Sequence, residues 1–313
     1  MKIQTLSLHP YEIPLLTGQI RSGVLIEILD EKGNSGWGDV APLPLWSQET
    51  LEDSLEQFYL KEQEILKLDW SIENWTQELT KLKLLPSVSF GLESALLSIL
   101  NPLPKQTVSV SALFMGSPEE ILKQANLRQK EGYTSAKLKV GHLPFKEASR
   151  LIHLLKDQFR LRIDVNRAWT TSDSLQFFSE FPLDAFDYVE EPFQNPEDLA
   201  QFSHSLAVDE SFPNDLSLKE LESLPMLKAL IYKPTIQGGL LHCLPLQEWA
   251  AKRGVSIVLS SSFESDIGLA HIASMAHRLS LSAPIGIGTY HYLRNYINPQ
   301  NKEAPWNLLN NMK

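Results

Sequence analysis

The sequence predicts an α/β protein, with a C-terminal modified (β/α) TIM-like barrel behind an N-terminal α+β capping domain. Three observations carry this. Short β-rich runs alternate with helix-length segments through the second two thirds of the chain, the mark of parallel strands joined by crossover helices. Asn101-Pro102-Leu103-Pro104 is the clearest punctuation, and the character of the sequence changes there. A length of 313 residues suits one large barrel or two domains better than one small core. An open doubly wound sheet is the alternative, but no Gly-x-Gly-x-x-Gly follows the first strand, so a dinucleotide fold lacks its signature. The expected division is a capping domain over 1–103 and a barrel over 104–289, with the tail 290–313 packing back on the capping domain.

Met1–Leu8 and Val24–Leu29 read as strands, with a loop around Gly18–Gly23 between them. Asp30-Glu31-Lys32-Gly33-Asn34 is a turn, so a hairpin should lead into Gly36-Trp37-Gly38. Ser47 is placed to cap a helix carrying Gln48 and Glu49 in its first turn. Helical patterns then run, with breaks, through Leu100. The barrel runs are Val108–Leu113, Ala136–Val140, Leu161–Asp164, Tyr188–Glu190, Leu206–Asp209, Leu230–Lys233 and Ser256–Leu259, with a weak eighth near Ile285–Ile287. About eight strand-helix units close a barrel.

Composition narrows the function classes. Hydrophobic residues are 43% and charged residues 21%, with a net charge of −10, so this is ordinary globular composition with an acidic balance that disfavours a phosphate backbone as partner. No apolar run is long enough to span a membrane, and no signal-peptide pattern follows Lys2. Cys243 is the single cysteine, which excludes an intrachain disulfide and a cysteine zinc site and reads as a small buried apolar residue. A reducing, cytoplasmic compartment is expected.

The chemistry lies at the strand ends. Lys137 and Lys139 fall on the second run, and Asp164, Glu190, Asp209 and Lys233 end the next four. Successive members are roughly 20–25 residues apart, about one strand-helix unit, so five strands offer ionisable groups to one barrel mouth. Taken singly, each is an ordinary solvated loop charge. Taken together, three carboxylates gathered in one place demand compensation, because like charges resist joint ionisation. Two lysines and a divalent cation supply it, and an all-oxygen set favours Mg²⁺. Lys137-Leu138-Lys139 has strand period, which turns both ammonium groups inward and Leu138 out to the helices. The functional reading is a lysine brought from ~10.4 to about 7–8 by a like charge and a metal. Solvated lysines on an exposed strand are the plain alternative.

The series Lys-x-Lys, Asp164-Val165-Asn166, Glu190-Glu191-Pro192, Asp209-Glu210-Ser211 and Lys233-Pro234 resembles the active-site series of the enolase superfamily, in its muconate-lactonizing-enzyme-like branch. Finer motifs are similar to those of its o-succinylbenzoate synthase family: Gly36-Trp37-Gly38-Asp39 with Pro42-Leu43-Pro44 and Ser47-Gln48-Glu49-Thr50, then Asp164-Val165-Asn166-Arg167-Ala168-Trp169, then Ser260-Ser261-Ser262-Phe263-Glu264-Ser265. The resemblance runs from about Gly36 to Thr289. It implies a Mg²⁺-dependent lyase, with Mn²⁺ as a possible substitute, acting on a small carboxylate. The implied reaction is syn dehydration of 2-succinyl-6-hydroxy-2,4-cyclohexadiene-1-carboxylate to o-succinylbenzoate in menaquinone biosynthesis. Metal ligands would be Asp164, Glu190 and Asp209. Lys139 would be the acid and base, Lys233 a cation across the substrate ring, and Lys137 an electrostatic support. Substrate contacts are expected at Asn166, Ser260, Ser261, Ser262, Gly286 and Ile287. Asp39, where related synthases commonly carry Glu, and Gly288, where some carry Asp, depart from the pattern. A racemase, a dipeptide epimerase or a cycloisomerase on the same site is the nearest alternative, and a non-catalytic ligand-binding barrel is a rival from another class.

The remaining readings are these. Glu191 and Glu210 should turn away from the ligand face. Gly238-Gly239 is a plain turn or a close approach to a ligand. His271 and His277 face different sides of a helix, and His291 is structural. The Thr17–Gly23 loop should close over the substrate.

Overall fold

The N-terminal segment folds into an antiparallel sheet. In the computed structural model, which describes residues 1–105 and 107–297 and the backbone of 307–308, Ile3–Pro14 (β1), Ile20–Asp30 (β2) and Ser35–Val40 (β3) lie in the order β1-β2-β3. The expected Gly18–Gly23 loop is much shorter. Leu15 N donates to Gln19 O at 2.8 Å and Gly18 takes the left-handed conformation that closes the turn, φ +87°. Ile20 to Gly23 already pair with Pro14 to Tyr11. Gly23 belongs to the strand because the Tyr11 ring crosses it: a Cβ there would stand 2.4 Å from the Tyr11 hydroxyl.

Helices Leu51–Lys67 (α1), Trp75–Leu82 (α2) and Pro86–Leu100 (α3) follow. The cap of α1 is Thr50, not Ser47. Thr50 and Asp53 form a reciprocal capping box, while Ser47 Oγ accepts from Leu43 N at 2.9 Å and Glu49 Oε1 accepts from Ser87 N at 2.8 Å. Gly36-Trp37-Gly38 is explained by α3 lying on β3, since a Cβ on Gly38 would be 1.9 Å from Gly91 O.

Thr107–Val108 (β4) pairs in parallel with Asn307–Leu308 (β12). Ala112–Phe114 (β5), Ser135–Lys139 (β6), Arg160–Asp164 (β7), Tyr188–Glu190 (β8), Leu206–Val208 (β9), Leu227–Tyr232 (β10) and Ser256–Leu259 (β11) form one curled sheet of seven parallel neighbours in sequence order. Helices Pro118–Lys130 (α4), Phe145–Leu155 (α5), Thr171–Phe178 (α6), Leu218–Leu221 (α7), Pro234–Gln237 (α8) and Leu240–Ala251 (α9) lie in the connections between them, and Asp266–Arg278 (α10) follows β11. The weak eighth run survives only as bridges. Ile285 pairs with Val110 and Gly286 with Ser260, so these two residues join the open edges of the sheet.

Strand alternation sorts the core. Leu138, Ile163, Val189 and Leu230 face the helices in the main core. Tyr188, Ala207, Ala229, Ile231 and Val258 form a separate buried cluster inside the sheet. Arg162 shares that interior, 5.0 Å over the Tyr188 ring and 2.9 Å from Asp187, one inward position below Asp164. Residues 292–294 run beside the end of β1, with Leu16 N donating to Tyr292 O at 2.8 Å and Arg294 N to Pro14 O at 3.0 Å. Apart from the backbone of β12, the expected packing of the tail beyond Ile297 lies outside the described residues. Among the described residues no helix is long and apolar enough to cross a membrane.

Candidate active site

Parallel pairing sets the charged groups side by side. Lys139 is in register with Asp164, and Asp164 with Glu190. Asp209 and Lys233 follow immediately after β9 and β10, one residue beyond the strand ends. Lys137 Nζ lies 2.9 Å from Asp164 Oδ2 and 2.6 Å from Glu190 Oε1. Lys139 Nζ lies 3.2 Å from Asp164 Oδ2 and donates to Asn166 Oδ1 at 2.9 Å. Lys233 Nζ lies 2.5 Å from Asp209 Oδ2. All five groups that end the strands therefore meet at one mouth, together with Lys137 beneath them.

The electrostatics follow from these pairs. Burial raises the Asp164 carboxyl, but Lys137 and Lys139 overcome it and hold it well below the usual carboxylate range. Burial and the Asp164 charge push Glu190 well above that range, with Lys137 only partly offsetting them. Burial alone would lower Lys137, yet Asp164 and Glu190 hold it well above the ordinary lysine value. At Lys137 the carboxylates at ion-pair distance thus outweigh burial.

A cavity of about 250 Å³ opens above this layer. Lys137, Lys139, Asn166, Lys233, Ser260, Ser261, Ser262, Gly286, Gly288 and Thr289 line it, under Leu43 and Trp46 from the N-terminal segment. Lys233 follows β10, four strands along the sheet from Lys139 on β6, which sets the two lysines on opposite walls. Among the described residues the Ser262 hydroxyl has no hydrogen-bond partner. Ser261 Oγ meets Thr289 Oγ1 at 2.6 Å. Ile287 departs from expectation: alternation turns it into the core, where it is fully buried, and its neighbours Gly286 and Gly288 line the cavity instead. Asp164 and Glu190 lie beneath the lysines, and Asp209 opens onto a small adjoining cleft with Glu210, Phe212 and Gln237.

The carboxylate set suits a hard dication. Its donors are all oxygen, and among the described residues Glu190 Oε2 is buried without a hydrogen-bond partner. Asp164 Oδ2 faces both Lys137 and Lys139 at ion-pair distance, 2.9 and 3.2 Å. Among the described residues no three of His, Cys, Asp and Glu are already gathered as an ion would hold them; Lys137 and Lys233 stand on Glu190 and Asp209.

Surrounding groups fix this layer. Glu191 turns away from the mouth as expected and accepts from Asp209 N at 2.7 Å, Ser211 N at 2.9 Å and Ser211 Oγ at 2.5 Å. Burial and the Glu210 charge raise it to about 8. Asp39 binds no cavity group; it accepts from Ser265 N at 2.8 Å, Ser265 Oγ at 2.7 Å and Tyr11 OH at 2.8 Å. Gly288 has no room for a side chain, since a Cβ would stand 2.9 Å from that of Leu113.

Two participants were not singled out from the sequence. Trp46 sits with its ring centroid 4.8 Å from Lys233 Nζ; it lies between two of the N-terminal motifs, and its ring was the available signal. Arg21 is buried at 4% exposure and donates to the carbonyls of Ala41, Pro42, Ser22 and Ser262, tying β2 to the loop after β11.

Residues 120–304 match the family described as enolase C-terminal domain-like, and residues 5–99 match the MenC N-terminal domain. With a curled parallel sheet carrying acids and lysines at its strand ends, the chain is an enzyme of the enolase superfamily. The o-succinylbenzoate synthase of Vibrio cholerae serotype O1 (strain M66-2) is 32% identical, across 96% of this chain and 92% of that protein. The chain belongs to the o-succinylbenzoate synthase family. Solved structures share the fold. The dipeptide epimerase of Enterococcus faecalis V583 superposes with a TM-score of 0.82 at 21% identity, covering 95% of this chain and 93% of that one. The o-succinylbenzoate synthase of Thermosynechococcus elongatus BP-1, complexed with Mg in its active site, gives 0.72 at 24% identity, covering 92% and 94%.

Proposed function

We propose that this protein is a hydro-lyase that dehydrates 2-succinyl-6-hydroxy-2,4-cyclohexadiene-1-carboxylate to o-succinylbenzoate, the family's reaction in menaquinone biosynthesis. The observation that carries the reading is the row Lys139, Asp164, Glu190 in register, facing Lys233 across one cavity. Asp164, Glu190 and Asp209 would hold Mg²⁺, or Mn²⁺ in its place. Bound there, the cation supplies Lewis acidity that favours negative charge on the substrate carboxylate.

The side chains perform the rest. Lys139, oriented by Asn166, takes the proton beside the carboxylate and returns it to the departing hydroxyl on the same face, which is a syn elimination. Lys233 approaches from the opposite wall, and its paired ammonium favours the delocalised ring anion. Lys137 supports the charge from below. The Ser262 hydroxyl offers a donor to the succinyl carboxylate, with Gly286 leaving space beside it. Leu43 and Trp46 roof the cavity and keep water from the anion.

A second reading, epimerisation, takes its support from lysines on opposite walls, which would serve as two bases. The relatives speak against it: o-succinylbenzoate synthases are 30–32% identical to this chain, whereas the likeness to the epimerase is one of fold at 21% identity. The test is incubation with the cyclohexadiene substrate and Mg²⁺. Growth of the aromatic absorbance is expected, abolished by chelator and in Asp164→Asn, Glu190→Gln and Asp209→Asn. Full turnover in any of these folded variants would remove that residue from the ligand set, and failure of the parent to form the aromatic product would remove the reaction.

A further inference from the structure

Gly238 and Gly239 follow Lys233 closely, and the close approach that Gly239 permits is to a side chain of an N-terminal helix. Glu93 on α3 is 2% exposed. Its Oε1 accepts from Leu240 N at 2.5 Å and its Oε2 from Leu241 N at 2.9 Å, the first two residues of α9. That helix has no side-chain cap of its own, so Glu93 serves N–H groups that a helix start leaves open. A Cβ on Gly239 would stand 2.4 Å from Glu93 Oε1. The segment so held leads directly back to Lys233. Tyr232 OH donates to Gly238 O at 3.0 Å. Gln237 Oε1 accepts from Lys233 N at 2.9 Å, and Gln237 Nε2 donates to Phe212 O at 3.2 Å, next to the Asp209 loop.

We propose that Glu93 is a positioning residue for Lys233: its carboxylate clamps the start of α9 to α3 and so registers the Lys233–Gly239 segment across the cavity from Lys139. The inference rests on the reading above that Lys233 acts on the substrate. Glu93 acts through backbone alone. Only a carboxylate can accept two adjacent N–H groups with both its oxygens; an amide presents an NH₂ to one of them. Burial raises the Glu93 carboxyl to about 7, against the pull of the Leu241 and Leu240 amides and of Arg278. Arg278 and His271 face it from α10, with Tyr232 from β10 and Cys243 from α9. The ionised, clamping form therefore gives way to the neutral acid just below neutrality.

The test compares the full-length parent with Glu93→Gln, Glu93→Ala and Gly239→Ala, the last displacing the same carboxylate from the other side. Three quantities are read: kcat and KM with the cyclohexadiene substrate and Mg²⁺, the pH dependence of kcat, and the rate at which acetic anhydride acetylates Lys233, followed by peptide mass. The expected result is a fall in kcat of about tenfold in Glu93→Gln and more in Glu93→Ala, with KM within roughly threefold. The acid limb of kcat near pH 7 should be missing from Glu93→Gln. Lys233 should acetylate several-fold faster in all three variants. Parental kcat, pH profile and Lys233 labelling in folded variants would overturn the proposal, as would a lower melting temperature with labelling unchanged. If the parent forms no aromatic product, the proposed reaction fails, while the labelling comparison still decides for or against the clamp.

Discussion

Lys137 and Lys139 point into the barrel two residues apart, yet they keep different company. Lys137 is locked between Asp164 and Glu190, whereas Lys139 carries 30% side-chain exposure and reaches the cavity held by Asn166. A proton carrier must approach substrate carbon, and Lys139 is the one placed to do so. Strand rise puts Lys137 about 6.5–7 Å deeper. Lys139→Ala should lose roughly 10²–10⁴-fold or more of dehydration while retaining Mg²⁺ and product binding. Lys233→Ala should also be crippled, through loss of charge stabilisation. Proton exchange in deuterated solvent on a non-eliminating analogue separates the two. Exchange that survives Lys139→Ala but stops in Lys233→Ala would transfer the proton to the other wall. These lysines and acids were legible because each closes an apolar run at a regular interval. Ile287 was misread because a run reduced to two bridges gives alternation too little length to declare its faces.

At the scale of elements, the N-terminal hairpin shows what sequence patterns carry and what they miss. The turn at Asp30–Asn34 is read correctly from its residues, since Asp30 Oδ1 collects Lys32 N and Asn34 N at 2.9 and 2.8 Å. The Gly18–Gly23 stretch is misread as loop, because Gly23 is there for the Tyr11 ring and not for a turn. That also changes the expected lid: residues from Ile20 onward are paired in β2, leaving Thr17–Gln19 as the connection. Arg21 and Trp46 were hidden for a related reason, their partners being backbone carbonyls and a lysine far away in sequence. Arg21 joins β2, the turn at Ala41–Pro42 and the loop bearing Ser262. Arg21→Met keeps the length of the side chain and removes its donors, leaving buried carbonyls unpaired. We expect a loss of about 2–4 kcal/mol in urea unfolding and a raised KM, since Ser262 lines the cavity. An unchanged KM beside lowered stability would confine Arg21 to the fold.

On the scale of the whole molecule, the N-terminal segment and the barrel are joined through buried acids, one on β3 and one on α3. Asp39 reaches Ser265 at the start of α10, and Glu93 reaches the start of α9. Such a junction has a sign in pH. Burial raises Glu93 to about 7 from the ordinary 4.5, so between those values the folded chain keeps a proton that the unfolded chain releases. Stability from this group therefore falls as pH rises through that window, and the full cost, roughly 3 kcal/mol, is reached above it. Buried His271 and His291, lowered to about 4 by burial, act oppositely between about 4 and their unfolded value near 6.5, which masks the acid side. Above about 6.5 the histidines fall silent; Glu191, raised to about 8, still titrates there with the same sign as Glu93, so it is the difference between variant and parent that isolates Glu93. Between pH 6.5 and 8, in chelator, urea unfolding of the parent should lose on the order of 1 kcal/mol through Glu93. Glu93→Gln has no proton to lose there, so the stability difference between variant and parent should move in the variant's favour as pH rises, whatever its starting value. Parallel pH dependences in the two proteins would mean that Glu93 does not titrate in this range. The clamp is then the reason a costly charge persists at this junction: at neutral pH the ionised form weakens the fold and holds the loop that carries Lys233.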